Sequence, residues 1–218
     1  GGGVNLHRTT DTKDTSIQLE WEQSFETSEP AELDVARSGT TESEDADFTI
    51  YRASARHSEY LDPNKINRVR ASVRWVGTDE RLVPSTMTAF GGMYNVRGYD
   101  EYDVIADGGI MASLQYEFDL VKYEQAAKGQ AMDQQVGPYE LKRLAPLAFV
   151  DYGRSTVRHP QQAVGETRHE ELASVGIGLI TDIGQNFTGT LYYGYPLTET
   201  PDTPEGNGRV NAGLLLRW

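Results

Sequence analysis

The sequence predicts an all-β protein, and within that class a transmembrane antiparallel β-barrel with about nine strands. First, polar and apolar residues alternate with a period of two in many segments, whereas helical periodicity is scarce. Second, the polar positions of segment 67–75 are mostly arginine, which suits a water-filled lumen. Third, tyrosine and tryptophan cluster near segment ends, as in the aromatic girdles of membrane barrels. A soluble all-β domain would also alternate, so it remains an alternative on these features.

Composition argues against several classes of function. The 218 residues carry a formal charge of −13, so we expect no nucleic-acid partner, which would require a clustered basic face. The absence of cysteine removes disulfides, thiolate nucleophiles and cysteine metal sites. The four histidines lack metal-ligand spacing, and there is neither a Gly-x-Ser-x-Gly elbow nor a phosphate loop. We therefore expect no enzyme activity, no cofactor and no metal site.

The alternating segments account for the predicted strands. In chain order they are VNLHR, TSIQLEWE, DFTIYRASAR, NRVRASVRW, GIMASLQYEFDL, LKRLAPLAFVDY, LASVGIGLIT, FTGTLYYGYPL and RVNAGLLLRW. The last segment places Val210, Ala212, Leu214, Leu216 and Trp218 in one phase. Because all of these segments alternate, each predicted strand has one apolar face, as a barrel wall between lipid and water requires.

The predicted connections differ in length in the way that barrel connections do. Only residues 182–186 separate two strands near the C-terminus, whereas residues 27–45 form a long acidic segment without periodicity. Barrels combine short periplasmic turns with long extracellular loops, so we expect the acidic segment to be a solvated extracellular loop. Residues 121–138 are long for a periplasmic turn, and we expect a short helix there.

A glycine-rich segment, FGGMYNVRGYDEYD (residues 90–103), contains a single arginine, Arg97. Gly91, Gly92 and Gly98 allow sharp turns and a close approach of the backbone to a wall. A guanidinium can form two parallel hydrogen bonds with one carboxylate, so Arg97 could fix such a loop to an acidic residue. From the residues alone, an arginine in a solvated surface turn remains the alternative.

Four motifs in this order resemble a known family. GG-x-x-x-VRGY, followed by DGG and an alternating strand, is similar to the sixth-loop motif of the BamA/TpsB outer-membrane barrel superfamily. LAPLAFVDYG resembles its F-x-D-x-G strand, and SVGIGL and LYYGYPL resemble two strands near the end of its barrel. The sequences of these motifs are most similar to those of the TpsB transporters of the ShlB/FhaC/HecB kind. The resemblance covers most of residues 66–218.

The resemblance implies an architecture for the chain. The family barrel has sixteen strands, five of which follow the sixth loop, and five alternating segments follow Gly98 here. Residues 1–218 would be the C-terminal part of such a barrel, with the POTRA domains and the first strands absent. Residues 78–107 would be the sixth loop, inserted into the lumen. Residues 208–218 would be the terminal strand, with its apolar phase, Val210 to Trp218, read as the assembly signal.

The resemblance also implies a loop-to-wall anchor. Arg97 would pair with Asp151, with Phe149 on the same wall face and Val96, Gly98 and Tyr99 packed nearby. Relatives often place a glutamate in an S-x-E-[FY] pattern on the strand after the loop. Here Gln115 has that spacing and Glu117 lies two residues further on. Either Glu117 has taken the role or the second acceptor for Arg97 is missing.

The implied function is an outer-membrane pore that secretes a partner exoprotein. Its other partners would be the barrel-assembly machinery and outer-membrane lipid. An assembly factor of the BamA type and a passive porin are alternatives that share the barrel. A soluble all-β binding module is a further alternative, and it would be extracted without detergent.

Overall fold

The computed structural model describes residues 1–24, 48–130, 140–160 and 166–217. In chain order the strands are β1 (Gly2–Thr9), β2 (Lys13–Ser24), β3 (Phe48–Tyr60), β4 (Asn67–Thr78), β5 (Thr88–Phe90), β6 (Val104–Ala106), β7 (Gly108–Phe118), β8 (Leu141–Thr156), β9 (Glu171–Ile183), β10 (Phe187–Pro196) and β11 (Arg209–Leu216). A 3-10 helix covers Pro84–Thr86, and one α-helix, α1, covers Leu120–Ala127.

Nine strands form one antiparallel sheet in the order β1-β2-β3-β4-β7-β8-β9-β10-β11. The predicted fold class is confirmed, and the nine predicted strands are the nine strands of this sheet. Strands that are adjacent in sequence pair with each other in this sheet. The exceptions are β5 and β6, which lie between β4 and β7 in sequence and pair only with each other. The short connections 10–12, 61–66 and 184–186 lie at one end of the sheet. The connections 79–107 and 197–208 and the strand ends Ser24, Phe48, Thr156 and Glu171 lie at the other end.

The two faces of the sheet differ in polarity. Leu114, Val150 and Leu214 are each more than half exposed on the outer face. On the inner face, Glu117 and Asp151 are almost completely buried. An extended apolar outer surface is unfavourable in water, so this arrangement suits a sheet that faces lipid outside and a polar lumen inside.

Helix α1 occupies part of the long connection between β7 and β8. Asp119 is its N-cap, and the carboxylate accepts hydrogen bonds from the backbone N–H groups of Val121 (3.1 Å) and Lys122 (3.4 Å). The helix was predicted within residues 121–138; residues 131–139 lie outside the described ranges. Among the described residues, no helix is long and apolar enough to span a membrane.

The connection 79–107, called here the inserted loop, folds against the inner face of the sheet. Its β5–β6 hairpin, which the sequence did not predict, contributes to a buried apolar cluster with strands β7 to β9. The cluster consists of Phe90, Val96, Tyr99, Val104, Ala106, Met111, Val157 and Leu172. Burial of this apolar area holds the loop on the wall, in contrast to a solvated surface turn.

Candidate functional site

Residues 91–103 between β5 and β6 carry Arg97 toward the inner wall. Gly91, Gly92 and Gly98 have φ values of 95°, 100° and 100°, a region that side chains with a Cβ rarely adopt. These glycines let the chain reverse direction within a few residues. Arg97 is only 6% exposed at the end of this turn.

Arg97 meets Asp151 of β8 through both its side chain and its backbone. Arg97 Nε donates to Asp151 Oδ2 (2.7 Å), and Arg97 Nη2 donates to Oδ1 (2.8 Å). The Arg97 backbone N–H also donates to Oδ2 (3.0 Å). Ser113 of β7 donates its hydroxyl to Asp151 Oδ1 (2.6 Å). Because Asp151 is 0% exposed, these donors replace the water that its carboxylate would otherwise bind.

The second acceptor of the guanidinium is Gln115, not Glu117. Arg97 Nη1 donates to Gln115 Oε1 (2.6 Å), and Gln115 Nε2 donates to Glu117 Oε1 (2.7 Å). Glu117 forms no hydrogen bond or ion pair with Arg97 among the described residues. It pairs instead with Arg70 (Nε to Oε1, 3.0 Å) and with Arg143. The amide of Gln115 therefore links two separate ionic groups on the wall.

Two aromatic rings complete the surroundings of the guanidinium. Its Cζ lies 3.5 Å from the ring centroid of Phe149 and 5.1 Å from that of Tyr192. The two rings meet edge to face, with centroids 6.2 Å apart. Phe149 was predicted on this face, whereas Tyr192 of β10 was not. A guanidinium over an aromatic face gains an attraction of about 0.5–2 kcal/mol, more as the site loses water.

Next to Arg97, the loop backbone touches strand β10. A Cβ built on Gly98 would lie 3.0 Å from the carbonyl carbon of Gly194. Conversely, a Cβ on Gly194 would lie 2.5 Å from the Gly98 nitrogen. Both glycines are therefore required by the close approach of two backbones. The role of Gly194 escaped the sequence analysis, although it lies within the LYYGYPL segment.

Tyr99 and Val96 flank this contact. The Tyr99 hydroxyl accepts a hydrogen bond from the Ala173 N–H of β9 (3.0 Å) and lies 2.8 Å from the Thr198 carbonyl oxygen. Val96 is fully buried and lies close to Gly153, where an added Cβ would be 3.0 Å from Val96 Cγ2. Both residues contact the wall beside Arg97.

A further set of contacts joins the loop to the β10–β11 hairpin. Arg209 of β11 pairs with both carboxylate oxygens of Asp100. The Thr203 hydroxyl donates to Asp103 and accepts from the Asp100 N–H (3.2 Å). These pairs join residues about a hundred positions apart and were not predicted.

Asp107 ties the C-terminal end of the loop to its surroundings. Its carboxylate accepts hydrogen bonds from the backbone N–H groups of Leu82 (2.8 Å) and Arg158 (2.6 Å). Arg81 Nη1 lies 3.5 Å from Asp107 Oδ2. Burial raises the pKa of Asp107 above its ordinary value, while the two N–H donors and Arg81 act in the opposite direction. The DGG pattern marked this residue only as part of a motif.

The predicted assembly residues lie on the edge strand β11. Val210, Ala212, Leu214 and Leu216 are exposed on its outer face. Trp218 lies outside the described residues. Their use as an assembly signal stays a prediction. Among the described residues no group of acidic or histidine side chains is arranged to hold a metal ion.

The outward apolar face, the polar inner face and the inward-folded loop together define the wall of a transmembrane β-barrel. The family model described as haemolysin secretion/activation protein ShlB/FhaC/HecB matches residues 2–181, and the chain belongs to this family. Family membership confirms the resemblance drawn from the motifs and the predicted outer-membrane location.

A solved structure, CdiB from Escherichia coli, is similar to the chain with a TM-score of 0.68 and 15% sequence identity. The match covers 98% of this chain and 35% of that chain, so the chain spans about a third of the length of CdiB. At this identity the likeness concerns the fold alone. No curated protein matches the chain.

Proposed function

We propose that the protein containing this chain is an outer-membrane pore that secretes a partner exoprotein, with the inserted loop anchored to the wall through Arg97 and Asp151. The nine-strand sheet forms part of a larger closed barrel, with residues 78–107 as its sixth loop and residues 208–218 as its terminal strand. Outer-membrane lipid surrounds this wall, and the barrel-assembly machinery inserts it. No covalent bond is made or broken in this function, and no cofactor takes part.

The observation that carries the proposal is the seating of Arg97 on the inner wall of a chain from a secretion family. Two side-chain nitrogens and one backbone nitrogen of Arg97 converge on the carboxylate of Asp151. The anchor holds the loop against the wall, and a loop released from it would occupy space in the lumen that a passing polypeptide needs. Loss of the anchor is therefore expected to reduce secretion. Removing one member of such a buried pair costs about 3–5 kcal/mol, because the other charge stays buried and unpaired.

The test is secretion of the partner by the full-length protein carrying Arg97→Ala. We expect at least a tenfold loss of secreted partner while the barrel still inserts as a heat-modifiable outer-membrane band. Arg154→Ala is the matched control, because Arg154 is exposed on the outer face of β8 and pairs only loosely with Glu171 (3.6 Å). Normal secretion by Arg97→Ala at normal barrel levels would refute the anchor role.

A charge reversal tests the pairing itself. Arg97→Asp combined with Asp151→Arg should recover part of the secretion that each single change loses. Full recovery is not expected, because Asp151 also accepts from the Arg97 backbone N–H and from Ser113, and an arginine there cannot. A double variant no better than the worse single variant would count against direct pairing.

A further inference from the structure

The inner face of β3 and β4 carries one arginine in each of five successive cross-strand residue pairs, which are called rungs here. In order from the short-turn end, the cross-strand pairs are Arg68 with Tyr60, Arg70 with Ser58, Arg56 with Ser72, Arg74 with Ser54, and Arg52 with Val76. We call these five arginines the arginine ladder. No arginine lies directly opposite another, which limits the repulsion between neighbouring strands.

The ladder crosses most of the membrane-spanning wall. Residues on one face of a strand repeat every two positions, about 6.8 Å apart. Four such steps extend over about 27 Å along the strands. Because barrel strands tilt by about 35–45°, this corresponds to about 19–22 Å of the roughly 30 Å hydrocarbon core. The ladder begins at Arg68 near the short connections and ends at Arg52 near the long ones.

Two arginines of the ladder pair with carboxylates, and Arg68 at the short-turn end donates to the Ser58 hydroxyl (2.7 Å). Arg52 pairs with Glu22 (2.6 Å), and Arg70 pairs with Glu117 (3.0 Å). Arg56 and Arg74 are both exposed, and neither is paired with a carboxylate in the part of the chain that the structure describes. Among the described residues these two arginines therefore keep positive charge without a carboxylate partner, although the formal charge of the chain is −13.

The same arginines face open space in the lumen. All five line a cavity of about 640 Å³ together with Arg97. The carboxylates of Asp14 and Glu20 also line it, but among the described residues neither forms an ion pair with Arg56 or Arg74. The positive charge of the middle rungs is thus available to a ligand inside the barrel.

We propose that the arginine ladder binds the carboxylate side chains of an extended polypeptide passing through the lumen, an inference that rests on the proposed function. Alternate side chains of an extended chain repeat every 6.8 Å or so, which matches the rungs. A segment with Asp or Glu at alternate positions can therefore meet several arginines at once. Each contact with an exposed arginine is weak, so the segment is held but can still move on.

The experiment measures binding of labelled peptides to the detergent-solubilised full-length protein. Three decapeptides are compared, in which threonine alternates with glutamate, glutamine or lysine. We expect the glutamate peptide to bind most tightly and to lose affinity as salt is raised. The double variant Arg56→Gln/Arg74→Gln should bind it about tenfold more weakly. Arg8→Gln is the matched control, because Arg8 is exposed on the opposite face of β1.

Several results would overturn the inference. Equal affinity for the glutamate and glutamine peptides is one, and an unchanged affinity in the double variant is another. If the double variant fails to give a heat-modifiable band, Arg56→Lys/Arg74→Lys keeps the charge and should still prefer the glutamate peptide. The secretion assay separates this inference from the proposed function. Partner secretion that continues without the protein would remove the function, whereas peptide discrimination tests the ladder directly.

Discussion

The contact between Gly98 and Gly194 is the point at which a single methyl group should detach the inserted loop. A Cβ at position 194 would lie 2.5 Å from the Gly98 nitrogen, 2.7 Å from Gly98 Cα and 2.8 Å from the carbonyl carbon of Arg97. All three are backbone atoms, so no change of rotamer relieves the overlap. Gly194→Ala must therefore push the loop away from β10. Overpacking of this kind costs about 1–3 kcal/mol.

Release of the loop can be measured through Val96, a residue of the loop that is fully buried next to Gly153 of β8. The chain has no cysteine, so a Val96→Cys variant introduces one thiol into this part of the protein. Its rate of maleimide labelling reports how often the loop leaves the wall. A cost of 1–3 kcal/mol corresponds to labelling about 5- to 150-fold faster when Gly194→Ala is added.

Gly189→Ala on the same strand is the control for this measurement. There the nearest atoms to an added Cβ belong to side chains, with Thr181 Cγ2 at 3.0 Å and the Phe187 ring at 3.2 Å. We expect labelling at position 96 to stay at the parent rate. If Gly194→Ala also labels at the parent rate while the barrel remains heat-modifiable, the loop does not depend on this backbone contact and the reasoning fails.

Two further substitutions probe the wall and the end of the loop. Gln115→Glu should loosen the loop, because Gln115 donates to Glu117 (2.7 Å) and two carboxylates would then meet. Faster trypsin cleavage of the loop would show this, and adding Glu117→Gln should reverse it; an unchanged rate would contradict it. Asp107→Ala should leave two buried N–H groups without an acceptor, at about 1–3 kcal/mol each. Thiol labelling at position 96 should accelerate, and less so with Asp107→Asn, which keeps one acceptor oxygen; equal rates for both variants would contradict it.

The sheet could be predicted because each long strand carries its own period-two pattern. Strand β7, for example, alternates Ile110, Ala112 and Leu114 with Ser113 and Gln115, and the two phases correspond to its two faces. The β5–β6 hairpin escaped prediction because each of its strands has only three residues, too few to establish a period. Its fold depends on the apolar cluster that it forms with the wall.

The site was only partly predictable for a related reason. Arg97 and Asp151 were identified through motifs, since no local pattern connects residues 54 positions apart. Thr203 and Arg209 contact the loop from more than a hundred positions away and belong to no motif that was recognised. The choice between Gln115 and Glu117 depended on which side chain reaches the guanidinium, and the spacing alone left that open.

The inserted loop is held by three separate groups of contacts along the wall. Arg97 binds β7 and β8, Gly98 lies against β10, and Asp100 pairs with Arg209 on β11. Because these contacts lie within four residues of one another, displacement of the loop at one of them also strains the others. Arg97→Ala and Gly194→Ala therefore separate two explanations of any secretion defect. If secretion depends on where the loop sits, both variants lose it; if it depends on the charge of Arg97 in the lumen, only Arg97→Ala does.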